Sequence, residues 1–291
     1  MSTQSPNNTV ASIFSFFQKE LKGIYDEGEI GSFARLALEF FSGIPYAAFR
    51  SNLDVAVDDA LFTNYANTVA ALKQHRPIQY ILGQTEFYGL PIKVSPAVLI
   101  PRPETEELVD LIVKQYQNQQ NIKVLDLCTG SGCIAVALNK NMPKSLLWAV
   151  DVSTKALAVA NENNVLNNAS VQFFAADVLA DDTSQYPTQL DVVVSNPPYV
   201  PQAELEHIAN NVKDNEPHLA LFVPDNEPLL FYKKISTLAF KQLLTPGGRL
   251  YFECHTNYAA QVVTLLQNIG YKNCQLIKDI GGHNRMVLAQ K

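Results

Sequence analysis

The segment after Pro101 alternates short apolar runs with amphipathic stretches of helical spacing, and this alternation constrains the fold more than any other feature. It is typical of successive β-α-β units, whose strands pair in parallel. We therefore predict an α/β domain with a largely parallel sheet. A helix is expected to begin near Ser131, and another to span residues 227–244 and to end at Pro246-Gly247-Gly248. The expected strands are residues 123–127, 146–151, 171–177, 191–196, 249–254, 274–279 and 285–290.

The first part of the chain has a different pattern. Between Ser12 and about Gln84 apolar residues recur at helical spacing, which predicts several short helices. Residues 86–100 then alternate apolar and polar positions around Gly89 and Pro91, as a β-hairpin does. With 291 residues the chain exceeds the commonest single-domain size. We expect a helical domain over residues 1–84, a hairpin linker over 85–101 and the α/β domain over 102–291.

The composition of the chain argues against several kinds of partner and binding site. A formal net charge of -6 argues against a protein that neutralises many phosphates of a nucleic acid, so no direct nucleic-acid binding is expected. The cysteines form no Cys-x-x-Cys pair, and the histidines form no metal-like cluster, so no metal site and a reducing cytoplasm are expected. No apolar run approaches the roughly 18 residues of a spanning helix. Neither a signal peptide nor a membrane partner is therefore expected.

Three expected strands end in residues suited to a nucleotide-like ligand. The first runs into LDLCTGSGCIA, where Gly130 and Gly132 allow a tight turn before a helix, and Asp126 precedes that turn. The second ends at Asp151, placed to bind a ribose hydroxyl, and the third at Asp177, beside the expected adenine pocket. Because open parallel sheets bind ligands at the carboxyl ends of their strands, we expect a binding site there.

The glycine spacing leaves the ligand open. Gly130, Gly132 and Ala135 also satisfy the G-x-G-x-x-A fingerprint of dinucleotide enzymes, so an NAD-linked oxidoreductase stays a rival. A pyrophosphate would lie on the helix amino terminus, whereas a sulfonium amino acid needs acceptors near the loop, such as Asp126. The position of Asp126 favours a sulfonium ligand weakly and does not exclude a dinucleotide.

The motif Asn196-Pro197-Pro198-Tyr199 follows the strand expected at 191–196. Two prolines hold the backbone stiff and carry no N–H, so the Pro197 carbonyl is available to a substrate. Asn196 adds a side-chain oxygen, and these two acceptors suit a planar NH2 group that the Tyr199 ring covers. The motif contains no histidine or lysine to act as a base, so catalysis must come mainly from positioning an amide nitrogen.

Together, LDLCTGSG, the acidic strand ends, NPPY and IPRPETEELVD closely resemble the release-factor glutamine methyltransferases, the PrmC/HemK family. The resemblance extends over nearly the whole chain and includes QYILGQTEFYGL at residues 79–90. NPPY also occurs in amino-methyltransferases that act on nucleic acids. The combination of IPRPETE with an amino-terminal helical domain is far more specific and carries the resemblance.

The resemblance implies a Rossmann-like class I methyltransferase domain that uses S-adenosylmethionine and a helical domain that docks a peptide-chain release factor. The acceptor would be the glutamine of a Gly-Gly-Gln loop, and the products N5-methylglutamine and S-adenosylhomocysteine. A monomer is expected. By position, the catalytic roles fall on Asn196, Pro197 and Tyr199, and substrate binding on these residues and Pro198. The implied cofactor-binding residues are Asp126, Cys128, Thr129, Gly130, Ser131, Gly132, Asp151, Asp177, Val178 and Asn196.

A few positions have a second interpretation. Cys128 stands where the family loop has glycine, so we expect a packed, inert thiol whose backbone does without a positive φ. Arg102 fits either a contact with cofactor or substrate or a salt bridge within its own loop. Glu253 and Arg285 resemble family positions, but a structural ion pair or cap is the expected role of each.

Two further functional hypotheses stay open. NPPY alone would also fit an amino-methyltransferase acting on adenine or guanine, which the acidic charge and the lack of an appended basic, aromatic-rich module oppose. A non-catalytic adaptor could keep the fold only for binding, which the intact Asn196 opposes. Methyl transfer to nucleic acid would support the first, and tight cofactor binding without turnover the second.

Overall fold

The computed structural model describes residues 8–48 and 53–291. It divides into two compact units: the chain up to Gly83 together with Asn210–Asn215, and Gln84–Ala209 together with Glu216–Lys291. The expected helical range 1–84 includes residues 1–7 and 49–52, which lie outside the described residues. Segment 210–215, inside the expected α/β range, groups with the helical unit because its contacts are mainly there.

The helices are α1 (Val10–Leu21), α2 (Glu27–Ser42), α3 (Asp59–Leu72), α4 (Ile78–Leu82), α5 (Pro103–Tyr116), α6 (Cys133–Asn141), α7 (Thr154–Leu166), α8 (Asn210–Lys213), α9 (Leu230–Leu238) and α10 (Ala259–Ile269). The strands are β1 (Gln84–Phe87), β2 (Leu90–Lys93), β3 (Lys123–Leu127), β4 (Leu146–Asp151), β5 (Val171–Ala175), β6 (Leu190–Ser195), β7 (Val200–Pro201), β8 (Phe222–Val223), β9 (Leu244–Glu253), β10 (Lys272–Lys278) and β11 (Asn284–Gln290). Among the described helices none is long and apolar enough to cross a bilayer.

The helical unit is built from capped amphipathic helices. Thr9 and Ser12 form a reciprocal capping box at the start of α1, and Asp26 accepts a hydrogen bond from the Glu29 N–H at the start of α2. Helix α2 ends at Gly43 in the left-handed region, where glycine has no steric penalty. The buried faces meet in one apolar cluster around residues such as Phe17, Leu38 and Tyr65.

The second unit contains the expected hairpin and a seven-stranded sheet. Strands β1 and β2 pair antiparallel across Tyr88 and Gly89, which both have positive φ, as the favoured two-residue hairpin turn requires. The sheet order is β10-β11-β9-β6-β3-β4-β5, in which β9, β6, β3, β4 and β5 are parallel and β10 and β11 antiparallel. The expected α/β class with a largely parallel sheet is confirmed. Its switch point, where the order reverses, lies between β3 and β6.

Several element boundaries differ from those expected. Strand β5 stops at Ala175 because the chain turns at Asp177, whose carboxylate accepts a hydrogen bond from the Leu179 N–H. The helix expected at 227–244 begins only at Leu230, after two tight turns, and its last part is a π-helical turn over Ala239–Leu243. Strand β9 includes Pro246-Gly247-Gly248, because a register shift against β6 accommodates these residues.

Candidate active site

A cavity of about 230 Å³ opens at the carboxyl ends of β3, β4 and β6, at the switch point of the sheet. It brings together most residues that the sequence singled out. Those that line it are Cys128, Thr129, Gly130, Ser131, Asp151, Asp177, Val178, Asn196 and Pro198. Gly132, Pro197 and Tyr199 adjoin these residues in the chain, and Asp126 lies two positions before Cys128, but none of the four is part of the cavity wall.

The loop after β3 has a backbone that few residues tolerate. Gly130 and Gly132 have φ of 54° and 78°. A β-carbon on Gly132 would lie 3.0 Å from the Ala160 β-carbon and 3.1 Å from the Phe173 ring, whereas one on Gly130 would meet nothing within 4 Å. Gly130 is therefore required for its φ alone, and Gly132 for its φ and for close packing of the loop against α7 and β5.

Cys128 corrects one expectation. Its φ is 62°, so the prediction that this position does without positive φ is wrong. A left-handed non-glycine residue costs about 1–2 kcal/mol, and the next residue helps to hold it, because the Thr129 N–H donates to the Val150 carbonyl at 3.0 Å. Burial raises the pKa of the Cys128 thiol well above its usual range. The thiol is therefore protonated at neutral pH and chemically quiet.

Asp151 joins the loop to the end of β4. Its Oδ2 accepts a hydrogen bond from the Gly130 N–H at 2.8 Å, and its Oδ1 one from the Ser153 N–H at 2.9 Å. Burial raises the pKa of Asp151, and these backbone donors act against that shift. Since a carboxylate has about four lone-pair positions, each oxygen keeps the capacity to accept a further hydrogen bond.

Asp126 lies beneath the loop and is fully buried, while its Oδ2 accepts a hydrogen bond from the Thr129 hydroxyl at 2.5 Å. Burial raises the pKa of Asp126 to about 7. The acidic character of the cavity wall comes from Asp151 and Asp177. Among the described residues that line the cavity, Arg102 is the one cationic side chain, and it is paired with Glu216.

The buried Asp126 gives a testable pH dependence. Its folded pKa of about 7 lies above the unfolded value, so folded protein binds the proton more tightly, and stability falls as pH rises from about 4 to about 7. Asp126→Asn, which does not titrate, should be stabilised relative to wild type by a few kcal/mol, on the order of 1.4 per pKa unit, above pH 7 but not near pH 4. Urea unfolding of the cofactor-free protein from pH 4 to 8 measures this. The exposed Asp181→Asn is the control, and parallel curves for wild type and Asp126→Asn would contradict the prediction.

The Asn196-Pro197-Pro198-Tyr199 motif leaves the end of β6 and is held at several points. Ser195, just before it, donates its hydroxyl to the Leu127 carbonyl at 2.6 Å. After it, the N–H groups of Tyr199 and Val200 both donate to the Leu221 carbonyl, at 3.2 and 2.9 Å. The motif is therefore fixed to β3 on one side and to Leu221, just before β8, on the other.

The sequence interpretation did not single out Thr105, which lines the cavity, and expected for Glu253 only an ion pair or cap. Glu253, at the end of β9, is buried and accepts hydrogen bonds from the Thr105 hydroxyl at 2.6 Å and the Tyr199 hydroxyl at 3.1 Å. The Asn196 side-chain amide donates to the Thr105 hydroxyl at 3.3 Å. The signal in the sequence was an acidic residue within the apolar strand RLYFEC.

The structure also shows the partners of the other charged residues for which the sequence left two roles open. Arg102 lines the cavity and also pairs with Glu216, whose second oxygen accepts a hydrogen bond from the Ile100 N–H at 3.1 Å. This ion pair is not within its own loop, because Glu216 is 114 positions away, and a contact of Arg102 with cofactor or substrate stays a prediction. Arg285 forms the expected ion pair, with Asp279 at 3.3 Å, whereas Glu253 is held by the hydroxyl hydrogen bonds already described.

The cavity fits S-adenosylmethionine better than a dinucleotide. A pyrophosphate needs free N–H donors at a helix amino terminus, but here the Gly130 N–H is bonded to the Asp151 carboxylate. The acidic groups around the loop favour a cationic sulfonium by simple charge. Apolar side chains of Val150, Val178 and Phe231 on the same wall suit a nucleobase.

Comparisons with known proteins agree with this geometry. The methyltransferase small domain family matches residues 105–219. A crystal structure of a methyltransferase from Pyrococcus furiosus has a TM-score of 0.53 at 18% identity, covering 78% of this chain and 98% of that one, which supports the fold.

Two relatives are named release factor glutamine methyltransferase. The protein of Flavobacterium psychrophilum is 44% identical over 275 residues, 93% of this chain and 95% of that protein. That of Bacteroides thetaiotaomicron is 40% identical over 279 residues, 96% of this chain and 99% of that protein. At this identity and coverage, the chain belongs to the release-factor glutamine methyltransferase family.

Proposed function

We propose that the protein transfers the methyl group of S-adenosylmethionine to the side-chain amide nitrogen of a glutamine in a peptide-chain release factor, within a Gly-Gly-Gln loop. The observation that carries the proposal is the position of Asn196 and Pro198 on the wall of the cavity that the glycine loop and Asp151 also line. A motif suited to an amide acceptor thus adjoins a site suited to the methyl donor. Family membership makes release factors the first substrates to test.

In this proposal the cofactor is held by residues of three strand ends. Asp151 accepts hydrogen bonds from the ribose hydroxyls, Asp177 and Val178 flank the adenine, and the loop from Cys128 to Gly132 surrounds the amino-acid portion. Asp126 and Thr129 stiffen that loop from beneath. When bound, S-adenosylmethionine supplies an electrophilic methyl group on a sulfonium.

The acceptor site orients a poor nucleophile. An amide nitrogen has a delocalised lone pair, so the side chain must be fixed in line with the methyl group and shielded from water. Asn196 Oδ1 and the Pro197 carbonyl each accept one hydrogen of the acceptor NH2, Pro198 packs beside it and the Tyr199 ring covers its plane. The proton leaves after transfer, when the nitrogen has become acidic, so no side chain is assigned as a base.

The helical unit is proposed to dock the release factor. It exposes the large apolar side chains of Ile24, Phe40 and Ile44, to which we assign contacts with the release factor. One chain is taken as the catalytic unit because the residues assigned to both sites belong to one chain. As release factors work on ribosomes, we place the reaction in the cytoplasm.

The direct test is mass spectrometry of purified, unmethylated release factor incubated with the protein and S-adenosylmethionine. We expect one added methyl group, about 14 Da, on the Gly-Gly-Gln glutamine, because the two acceptors of the motif suit the NH2 group of a primary amide. A release factor with glutamate in place of that glutamine is the matched control and should stay unmodified. Methyl transfer to RNA or DNA, with the release factor unmodified, would overturn the proposal in favour of a nucleic-acid amino-methyltransferase. Cofactor binding without transfer to either would favour an adaptor.

A further inference from the structure

One buried carboxylate connects both polar side chains of the acceptor motif. Glu253 Oε1 accepts from the Tyr199 hydroxyl at 3.1 Å, and Oε2 accepts from the Thr105 hydroxyl at 2.6 Å. Thr105 Oγ1 in turn lies 3.3 Å from Asn196 Nδ2. Thr105 is 2% exposed and Glu253 also 2%, so water does not compete for these bonds.

The hydrogen-bonding capacity of each group gives this chain a direction. Burial raises the pKa of Glu253, whereas the hydroxyls of Thr105 and Tyr199 and the charge of Arg285 act against that shift and favour the carboxylate. A carboxylate accepts only, and a hydroxyl has a single hydrogen. Since the Thr105 hydrogen is used by Glu253, Thr105 has only lone pairs to offer Asn196, which must turn its NH2 toward Thr105. The hydrogen-bonding capacity of Thr105 thus distinguishes the two ends of the Asn196 amide.

We propose that Glu253 and Thr105 are positioning residues that orient the Asn196 amide so that its oxygen, and not its NH2, faces the acceptor glutamine; this inference rests on the proposed function. A reversed Asn196 would present donors to the donor NH2 of the substrate, which cannot then be held for transfer. The hydrogen bond from Tyr199 to the same carboxylate also fixes the tilt of the ring that covers the acceptor.

The first test compares Thr105→Val with Thr105→Ser in single-turnover methylation of the release factor. Valine has nearly the shape of threonine but no hydroxyl, so Asn196 loses its directional partner, and we expect a decrease of about 10- to 100-fold in the rate of transfer. Serine keeps the hydroxyl and should restore the rate to within about threefold of wild type. The dissociation constant of S-adenosylmethionine should stay within about twofold in both variants. The exposed Thr264→Val is a matched control for the same chemical change and should behave as wild type.

Two further variants distinguish loss of the Asn196 orientation from a general disturbance of the structure. Glu253→Gln introduces an NH2 donor where two hydroxyls donate, so one of them must reverse, and we expect slower transfer with the cofactor still bound. In an Asn196→Ala background, Thr105→Val should cause almost no additional loss, because the residue through which it acts is gone. An equal, additive loss in that background would assign Thr105 a merely structural role and overturn the inference.

A readout without turnover keeps this inference separate from the proposed function. The Asn196 side-chain 15N–1H signals, assigned by their loss in Asn196→Asp, should shift in Thr105→Val and not in Thr264→Val. A wild-type protein that methylates no release factor would defeat the proposed function, whatever these signals do. A wild-type protein that does methylate it, with full rate and unshifted Asn196 signals in Thr105→Val, would defeat the orientation of Asn196 instead.

Discussion

Asn196→Ala is expected to lower the rate of methyl transfer by about 100- to 1000-fold, since removing a single orienting or stabilising hydrogen-bond partner at a reacting centre commonly has this effect. The Asn196 side chain is half-buried on the cavity wall and tethered through Thr105, so its free oxygen has a fixed position. Alanine removes that acceptor and leaves one hydrogen of the substrate amide unpaired. The acceptor nitrogen then samples many orientations, few of them productive.

Cofactor affinity should change little in Asn196→Ala, because the groups assigned to the ribose and adenine lie on β4 and after β5. Calorimetric titration with S-adenosylmethionine and single-turnover methylation of the release factor measure the two effects separately. The exposed Asn161→Ala, on α7, is the matched control and should keep both values. A loss of cofactor binding as large as the loss of rate would reassign Asn196 to the cofactor. An unchanged rate would remove its side chain from the acceptor site.

The fold was predictable where an element depends on a pattern of apolar residues that are close in sequence. The alternation of apolar strands and amphipathic helices predicted β3 and β4 at their observed bounds and placed Asp151 at a strand end. The predicted strand ends were wrong where a side-chain hydrogen bond or the pairing with a neighbouring strand sets the end. Asp177 turns the chain by a hydrogen bond to the Leu179 N–H, and β9 is lengthened at its start by pairing of Leu244 with Leu190.

In the candidate site, too, the features that depend on residues close in sequence were predictable, and those that depend on distant contacts were not. Glycine spacing and strand ends indicated the loop and Asp151, because both depend on residues close in sequence. The link from Glu253 to Thr105 joins residues 148 positions apart, and no local pattern encodes that pairing. Helix α5 packs against β9, and β9 lies beside β6, so Glu253 reaches both Thr105 and the motif that follows β6.

The prediction of the Cys128 backbone conformation was wrong for a different reason. Because a β-carbon is disfavoured at positive φ, a cysteine in place of glycine predicts a backbone without positive φ. The loop nevertheless keeps φ at 62°, because the Thr129 N–H donates to the Val150 carbonyl of β4 and Gly132 packs closely against α7 and β5. Tertiary constraints outweigh a local preference of about 1–2 kcal/mol.

Asp151→Ala is expected to weaken S-adenosylmethionine binding by about 10- to 100-fold, the equivalent of one charge-assisted hydrogen bond of about 1.5–3 kcal/mol. Asp151 contributes in two ways. It offers acceptors to the ribose hydroxyls of the proposed cofactor, and it holds the Gly130 N–H at 2.8 Å, which keeps the glycine loop in place. Alanine loses both, whereas Asp151→Asn keeps one acceptor oxygen and should show an intermediate affinity.

Calorimetry of S-adenosylmethionine binding to Asp151→Ala and Asp151→Asn, with the fully exposed Asp181→Ala as control, measures this order. The rate of transfer at saturating cofactor should fall far less than the affinity, because Asp151 lies at the end of β4 and not in the acceptor motif. This split is the opposite of that expected for Asn196→Ala, so the two variants together test whether donor and acceptor sites are distinct. If Asp151→Ala binds cofactor with wild-type affinity, the ribose contact belongs to another residue, and the role of Asp151 reduces to fixing the loop.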